Sequence, residues 1–359
     1  MTRKIVVVGW GLAAQRLVTG LLAGDQDLAV TVYAADGPDA YDRDALPDAL
    51  AAGTAPAPLA VPDDARLRLR VGVRATAVDR MHRVVHGTDH QVQPYDALVL
   101  ATGTNPVLPP IRGLRAGGGG GGAAAEDLLP GVLPAHSAAD FRALATAARD
   151  ASRAVVIGGS ATGLRVAAAL HALRSADPDR PPLPVELIDQ MPATPEITPA
   201  DAYFELRQAG VVAYQDCRVR SVEEGPDGSL AALTLADGYR LTADLAVVTC
   251  GTAPNVALAW TAGLAVARGI VVDDTLRSVS DPAVYALGAC AEHRRVLSAA
   301  RDVVEAQAEV LAERLSGRDR TRTYRGVGAA TGAQARARAM AHAGDVVAEA
   351  ERVLKAAVA

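Results

Sequence analysis

The chain has 359 residues, of which 50% are hydrophobic and 21% charged, and its formal net charge is −5. That length holds two or three domains with sizeable cores, while an acidic balance excludes nucleic acid or an anionic membrane as the main partner, since both need a basic face. The three cysteines, Cys217, Cys250 and Cys290, are far apart and point to neither a disulfide framework nor a metal cluster; no segment has the length of a membrane span, and the chain reads as cytoplasmic.

In chain order, the β-branched run Val6-Val7-Val8 leads into Gly9-Trp10-Gly11-Leu12-Ala13-Ala14 and predicts a strand, a tight turn and a helix ending near Gly20–Gly24. Ala29–Tyr33 is the next strand. Leu67–Val73 and Ala75–Val78 alternate apolar and polar residues as antiparallel strands do, and Asp96–Ala101 is a buried strand. Ala116–Ala125 contains six consecutive glycines and has nothing to bury, which predicts a linker. Ala154–Arg174 then repeats strand, turn and helix around Gly158-Gly159-Ser160-Ala161-Thr162-Gly163, with Val185–Asp189 as its second strand. Val211–Val222, Leu230–Ala236 and Leu241–Thr249 read as strands, with turns at Gly225–Gly228 and Asp237–Gly238. Val284–Leu287 is one more short strand and Val303–Leu315 an amphipathic helix. Past Gly317 the chain turns basic, and Ala333–Ala356 is a helix former.

Each glycine turn exposes helix N-terminal amides that can hold a pyrophosphate, so two turns imply two dinucleotides. The layout is an α/β fold of two Rossmann-like dinucleotide-binding domains, the second inserted in the first, with a short helical C-terminal tail.

Four further motifs stand in a telling order: Ala40-Tyr41-Asp42-Arg43; Ala101-Thr102-Gly103-Thr104-Asn105-Pro106 with Pro109–Gly113; Thr249-Cys250-Gly251-Thr252-Ala253-Pro254-Asn255; and Val284–His293. Together with the glycine turns they resemble the pyridine nucleotide-disulfide oxidoreductase superfamily over roughly residues 1–317, and within it the flavin part of assimilatory nitrite reductase large subunits and the ferredoxin and rubredoxin reductases. The resemblance implies an FAD-binding domain at 1–115 and 245–317, a linker and lead-in at 116–150, an NAD(P)H-binding domain at 151–244 and a tail at 318–359 in place of the family's terminal interface module. It implies that Gly9, Gly11 and Ala14 take the FAD pyrophosphate, with Asp36 as a displaced ribose acid. Arg43, Thr102, Gly103, Gly251, Gly288 and Ala289 would lie around the flavin. Gly158, Ser160 and Gly163 would receive the nicotinamide dinucleotide. Asp189 would accept from its ribose 2′-hydroxyl and repel a 2′-phosphate, favouring NADH over NADPH.

The departures from the family carry information too. Between Gly20 and Gly72 there is no cysteine, so the chain is not a disulfide reductase, and no cysteine cluster offers an iron–sulfur or sirohaem module. Gly288 is followed by Ala289, where the family has an acid that accepts from the flavin ribityl chain. Arg165 stands where a glutamate is usual, and Asp48 where ferredoxin-reductase relatives have a lysine. Both charges are reversed, so Asp48 and Arg165 are expected to approach each other across the interface of the two nucleotide units, beside the flavin. His82, His86 and His90 suggest no metal site, and His293 is a candidate site residue after the last flavin-contacting turn.

The reading is an FAD-dependent NAD(P)H oxidoreductase that passes electrons from NADH through FAD to a separate acceptor, a redox protein or a small molecule, with a homodimer as candidate assembly. The alternatives are a non-catalytic or weakly flavin-binding scaffold of the same fold, and a specialised biosynthetic flavoenzyme.

Overall fold

The computed structural model describes residues 2–24, 26–116, 128–175, 181–190 and 200–326. The expected helix at Ala333–Ala356 and nearly all of the glycine run lie outside them. Over the described residues the chain forms two compact units: the first comprises residues 2–42, 57–105 and 253–326, and the second residues 43–56 and 106–252.

The first unit is built on a five-stranded parallel sheet in the spatial order Val284–Ala286, Ala97–Leu100, Arg3–Val8, Leu28–Ala34, Leu67–Val71. Its central strand holds Ile5, Val6 and Val7 fully buried, as expected of a strand covered on both faces. The helices Leu12–Leu22 and Arg301–Ser316 approach so closely that a Cβ on Gly20 would lie 2.7 Å from the Ala312 methyl. A glycine that costs about 1 kcal/mol of helix propensity is retained there for close packing. An antiparallel meander, Ala75–Asp79, Val84–Gly87 and Val92–Pro94, completes the unit.

One expectation needs correction here. Leu67–Val71 is not antiparallel: it pairs parallel with Leu28–Ala34 as the edge strand of the main sheet. An edge strand wetted on one face alternates in sequence whichever way it runs, so the pattern carried the exposure and not the direction. The inward Arg70 is kept by Tyr33, whose hydroxyl accepts from the guanidinium at 2.5 Å, and by an ion pair to Asp89.

The second unit repeats the arrangement, with the parallel order Val212–Tyr214, Val185–Ile188, Ala154–Ile157, Leu245–Val248, Val132–Pro134. Ser137 starts the helix Ala138–Asp150 with a reciprocal cap: its Oγ accepts from the Asp140 amide at 3.2 Å and its amide donates to the Asp140 carboxylate at 2.7 Å. Val211–Val222 divides into Val212–Tyr214, in the parallel sheet, and Val219–Glu224, in an antiparallel meander with Leu230–Leu235 and Arg240–Thr242. The break lies at Asp216, whose φ is 55°. Leu241–Thr249 likewise divides at Asp244, whose carboxylate accepts from the Ser152 hydroxyl at 2.6 Å and the Ser152 amide at 2.8 Å.

Three segments fall on the other side of the expected boundaries, and one is residues 106–115, which belong to the second unit. Leu245–Val248 is hydrogen-bonded to Ala154–Ile157 inside the second unit, and so does not begin the return to the first. Arg43–Pro56 also joins the second unit, where the short helix Leu46–Ala51 buries Leu46, Pro47 and Leu50 and a Cβ on Gly53 would touch Leu173 at 3.4 Å.

Candidate dinucleotide sites

In the first unit the turn after Arg3–Val8 is shaped by two glycines with different duties. Gly9 has φ of 105°, and a Cβ there would collide with the Ala101 carbonyl of the neighbouring strand. Only glycine fits. Gly11 has φ of −103°, which any residue adopts, and a Cβ on it would meet nothing within 4 Å. It is the N-cap of the helix Leu12–Leu22, which has no side-chain cap and no acid in its first turn. Orphan amides, the positive end of a helix dipole and open space above Gly11 together fit a pyrophosphate. Ala14, fully buried, keeps the helix close to the sheet.

The strand Val284–Ala286 delivers Gly288 to the same turn. Gly288 has φ of 75°, and a Cβ there would come within 2.9 Å of Ala13. Its amide donates to Gln307 Oε1 at 2.7 Å, from a glutamine that is 3% exposed on the helix Arg301–Ser316. Ala289 follows, half-buried, and its methyl offers no acceptor. Thr102 Oγ1 donates to the Asn255 carbonyl at 2.6 Å, and the Asn255 amide returns to the Gly103 carbonyl at 2.9 Å, clasping the two crossover segments within this unit. Asp36 is exposed in a turn just past the strand end at Ala34. His293 is a structural pair: buried, with Nε2 2.8 Å from Asp274 and its ring edge-on to Tyr324.

The second unit holds the other turn. Gly158 has φ of 120°, a Cβ there would sit 2.6 Å from the Thr249 carbonyl oxygen, and a Cβ on Gly163 would collide with the Gly158 carbonyl. Ser160 Oγ accepts from the Gly163 amide at 3.2 Å and donates to the Thr249 carbonyl at 3.2 Å. It therefore acts as the N-cap of the helix Ala161–Ser175 and ties that turn to the second crossover. Thr249 Oγ1 in turn donates to the Gly158 carbonyl at 2.9 Å. Gly251, with φ of 96°, has open space where a Cβ would stand. Asp189 ends the strand Val185–Ile188 beside this turn, and its carboxylate accepts from the Tyr203 hydroxyl.

Arg43 lies exposed at the start of the short turn Arg43–Ala45, within the second unit. Arg165, on Ala161–Ser175, meets Asp48 at 2.8 Å, and its Nε has no hydrogen-bond partner among the described residues. The two were expected to meet across the interface between units; instead the pair lies inside the second one, because Leu46–Ala51 packs there.

Two of the three thiols are chemically quiet. Burial pushes Cys250 up to about 11 and raises Cys290 as well, so both stay protonated at neutral pH and are poor nucleophiles. Among the described residues no group of three or more His, Cys, Asp or Glu could hold a metal ion, and no helix is long and apolar enough to cross a membrane.

Paired glycine-turn folds with two crossover segments define an oxidoreductase of the two-dinucleotide kind, and the comparisons with known proteins agree. Residues 3–309 match the family described as pyridine nucleotide-disulphide oxidoreductase, and the chain belongs to it. It is 30% identical over 304 residues to a nitric oxide reductase FlRd-NAD(+) reductase of Klebsiella pneumoniae, covering 81% of this chain and 73% of that protein. To the protein of the same description from Escherichia coli O7:K1 it is 30% identical over 329 residues, 88% of this chain and 80% of the other. Among solved structures it is similar to the covalent putidaredoxin reductase–putidaredoxin complex, with a TM-score of 0.76, 28% identity and coverage of 88% and 75%. A ferredoxin reductase from Rhodopseudomonas palustris gives 0.77, 26%, and coverage of 90% and 78%.

Two contacts carried no sequence signal. Gln307 is 19 residues from its partner Gly288, and Tyr203 reaches Asp189 only because its helix folds back over the strand end.

Proposed function

We propose that this chain takes hydride from NADH onto FAD and delivers electrons to a separate small redox protein of the rubredoxin or ferredoxin kind. The observation that carries the reading is the pair of glycine turns, each with its helix N-terminus, in a chain 30% identical over 304 residues to an FlRd-NAD(+) reductase.

In this reading the amides above Gly11 hold the FAD pyrophosphate, with Gly9 and Gly288 letting backbone pass close and Gln307 fixing the Gly288 amide. Bound flavin supplies the conversion of a two-electron donor into electrons for a one-electron acceptor. Gly158 and Gly163 bring the second helix close to its strand, and Asp189 selects NADH by accepting from a ribose hydroxyl and repelling a 2′-phosphate. Cys217, Cys250 and Cys290 are free thiols, and Cys250 and Cys290 stay protonated, so in this reading electrons leave for the partner and do not rest in a disulfide on this chain. Its setting is the cytoplasm, where NADH is available. A second reading, a relative that holds flavin weakly, rests on Ala289, which removes an acceptor the family supplies.

The test is anaerobic reduction of the FAD-loaded protein by NADH followed by transfer to rubredoxin or ferredoxin. Reduction without transfer to either protein would redirect the reading to a small-molecule acceptor, and no reduction would refute it.

A further inference from the structure

The Asp189 carboxylate and the Tyr203 hydroxyl form a hydrogen-bonded pair that is nearly closed to solvent, with the two residues 5% and 3% exposed. Both groups lie over Gly159, the residue between Gly158 and Ser160 in the second turn: a Cβ on Gly159 would collide with the carboxylate and stand 2.5 Å from the hydroxyl oxygen. The carboxylate is anchored from behind, because the Asp189 amide donates to the Tyr214 carbonyl and its carbonyl accepts from the Cys217 amide, each at 2.9 Å. The phenol arrives from a different element, the helix Ala200–Gln208. An O–H donor thus sits on the acid that ends the second strand, over the glycine turn along which a dinucleotide would run.

We propose that Tyr203 is a residue of the dinucleotide site: its hydroxyl holds the position on Asp189 that a ribose hydroxyl takes, and the dinucleotide enters by exchanging one hydroxyl for the other. The inference rests on the reading that the second unit binds NADH. Exchange conserves the number of hydrogen bonds to the carboxylate, so a ribose 2′-hydroxyl replaces the phenol at little cost. A 2′-phosphate, largely dianionic at neutral pH, brings charge and no suitable proton, so it cannot take the phenol's place. Tyr203 thereby competes with the ribose for Asp189 and lowers the affinity for the dinucleotide, while the discrimination against a 2′-phosphate comes from the carboxylate itself.

The experiment is calorimetric titration of the FAD-loaded protein and its Tyr203→Phe variant with ADP-ribose and with 2′-phospho-ADP-ribose. Phenylalanine keeps the ring but leaves the buried carboxylate without that donor, so the closed arrangement loses population and ADP-ribose binds about tenfold more tightly. The 2′-phosphorylated ligand gains less, and the ratio of the two affinities widens. Unchanged or weaker ADP-ribose binding in the variant overturns the proposal, and equal weakening of both ligands reveals a merely structural tyrosine. Fluorotyrosine placed at position 203 gives a readout that needs no loss of the hydroxyl: its fluorine resonance must shift when ADP-ribose binds, and a static resonance also overturns the exchange. Failure of the unaltered protein to bind ADP-ribose refutes the dinucleotide reading itself, a result distinct from binding that ignores Tyr203.

Discussion

Arg165 and Asp48 form an ion pair at 2.8 Å with the carboxylate one-third exposed and the guanidinium more deeply covered. The resemblance to ferredoxin reductases implies a glutamate and a lysine at these positions, and the pair here is locally neutral with the opposite order of charges. It joins the helix of the second glycine turn to the short helix Leu46–Ala51.

The first prediction follows from that contact. A half-covered, monodentate pair is worth more than an exposed one and less than a buried network, so a double-mutant cycle on Asp48→Asn and Arg165→Gln gives a coupling of about 0.5–1 kcal/mol in thermal or urea unfolding. Additive single effects would mean that the contact contributes nothing to stability.

A second prediction separates the two glycines of the first turn. Gly11→Ala puts a methyl into open space at an ordinary φ, so the flavin-free protein keeps its Tm while FAD binding weakens, because the methyl blocks the approach of a phosphate. Gly9→Ala meets both a positive φ and the Ala101 carbonyl and lowers stability by roughly 1–3 kcal/mol before any ligand is added. Equal FAD affinity in Gly11→Ala and the parent would remove the pyrophosphate from this turn.

Ala289 supplies a third. If Ala289 faces the ribityl chain, Ala289→Asp adds a charge-assisted hydrogen bond of roughly 1.5–3 kcal/mol, on the order of tenfold to a hundredfold in FAD affinity. Flavin retained after dialysis measures it, and equal retention would mean that another group has taken over the acid's role.

A fourth concerns acid stability. Hydrogen bonds from Arg294 and then His293 lower the Asp274 carboxyl to about 2. A carboxylate depressed in the folded state stabilises fully above its unfolded value of about 4 and loses that contribution as pH falls through its folded value. The Tm advantage of the parent over Asp274→Asn therefore shrinks as pH falls from about 4 towards 2. A difference that is flat across that window would place the stabilisation elsewhere.

What could be read from the chain alone divides along physical lines. The turns at Gly9 and Gly158 were legible because their constraints are local: a β-branched run, a positive φ, a small residue where helix meets strand. The direction of Leu67–Val71 was not, since side-chain alternation reports a wet face and is blind to strand polarity. Asp48 and Arg165 were paired correctly by charge, yet the unit that holds them was not, because the burial of Leu46 and Leu50 against the second unit has no marker in sequence. Gln307 and Tyr203 were missed for the same reason: each contact depends on where a later helix returns, and a glutamine or tyrosine in a helical stretch looks the same wherever it points.

The central claim is that electrons pass from NADH through a flavin held on this chain. The most direct measurement is the visible spectrum of the FAD-reconstituted protein, freed of unbound flavin and followed anaerobically as NADH is added. The account predicts a bound flavin band that bleaches with NADH faster than with NADPH. A colourless protein after removal of unbound flavin, or a bound band that NADH leaves unchanged, would contradict it.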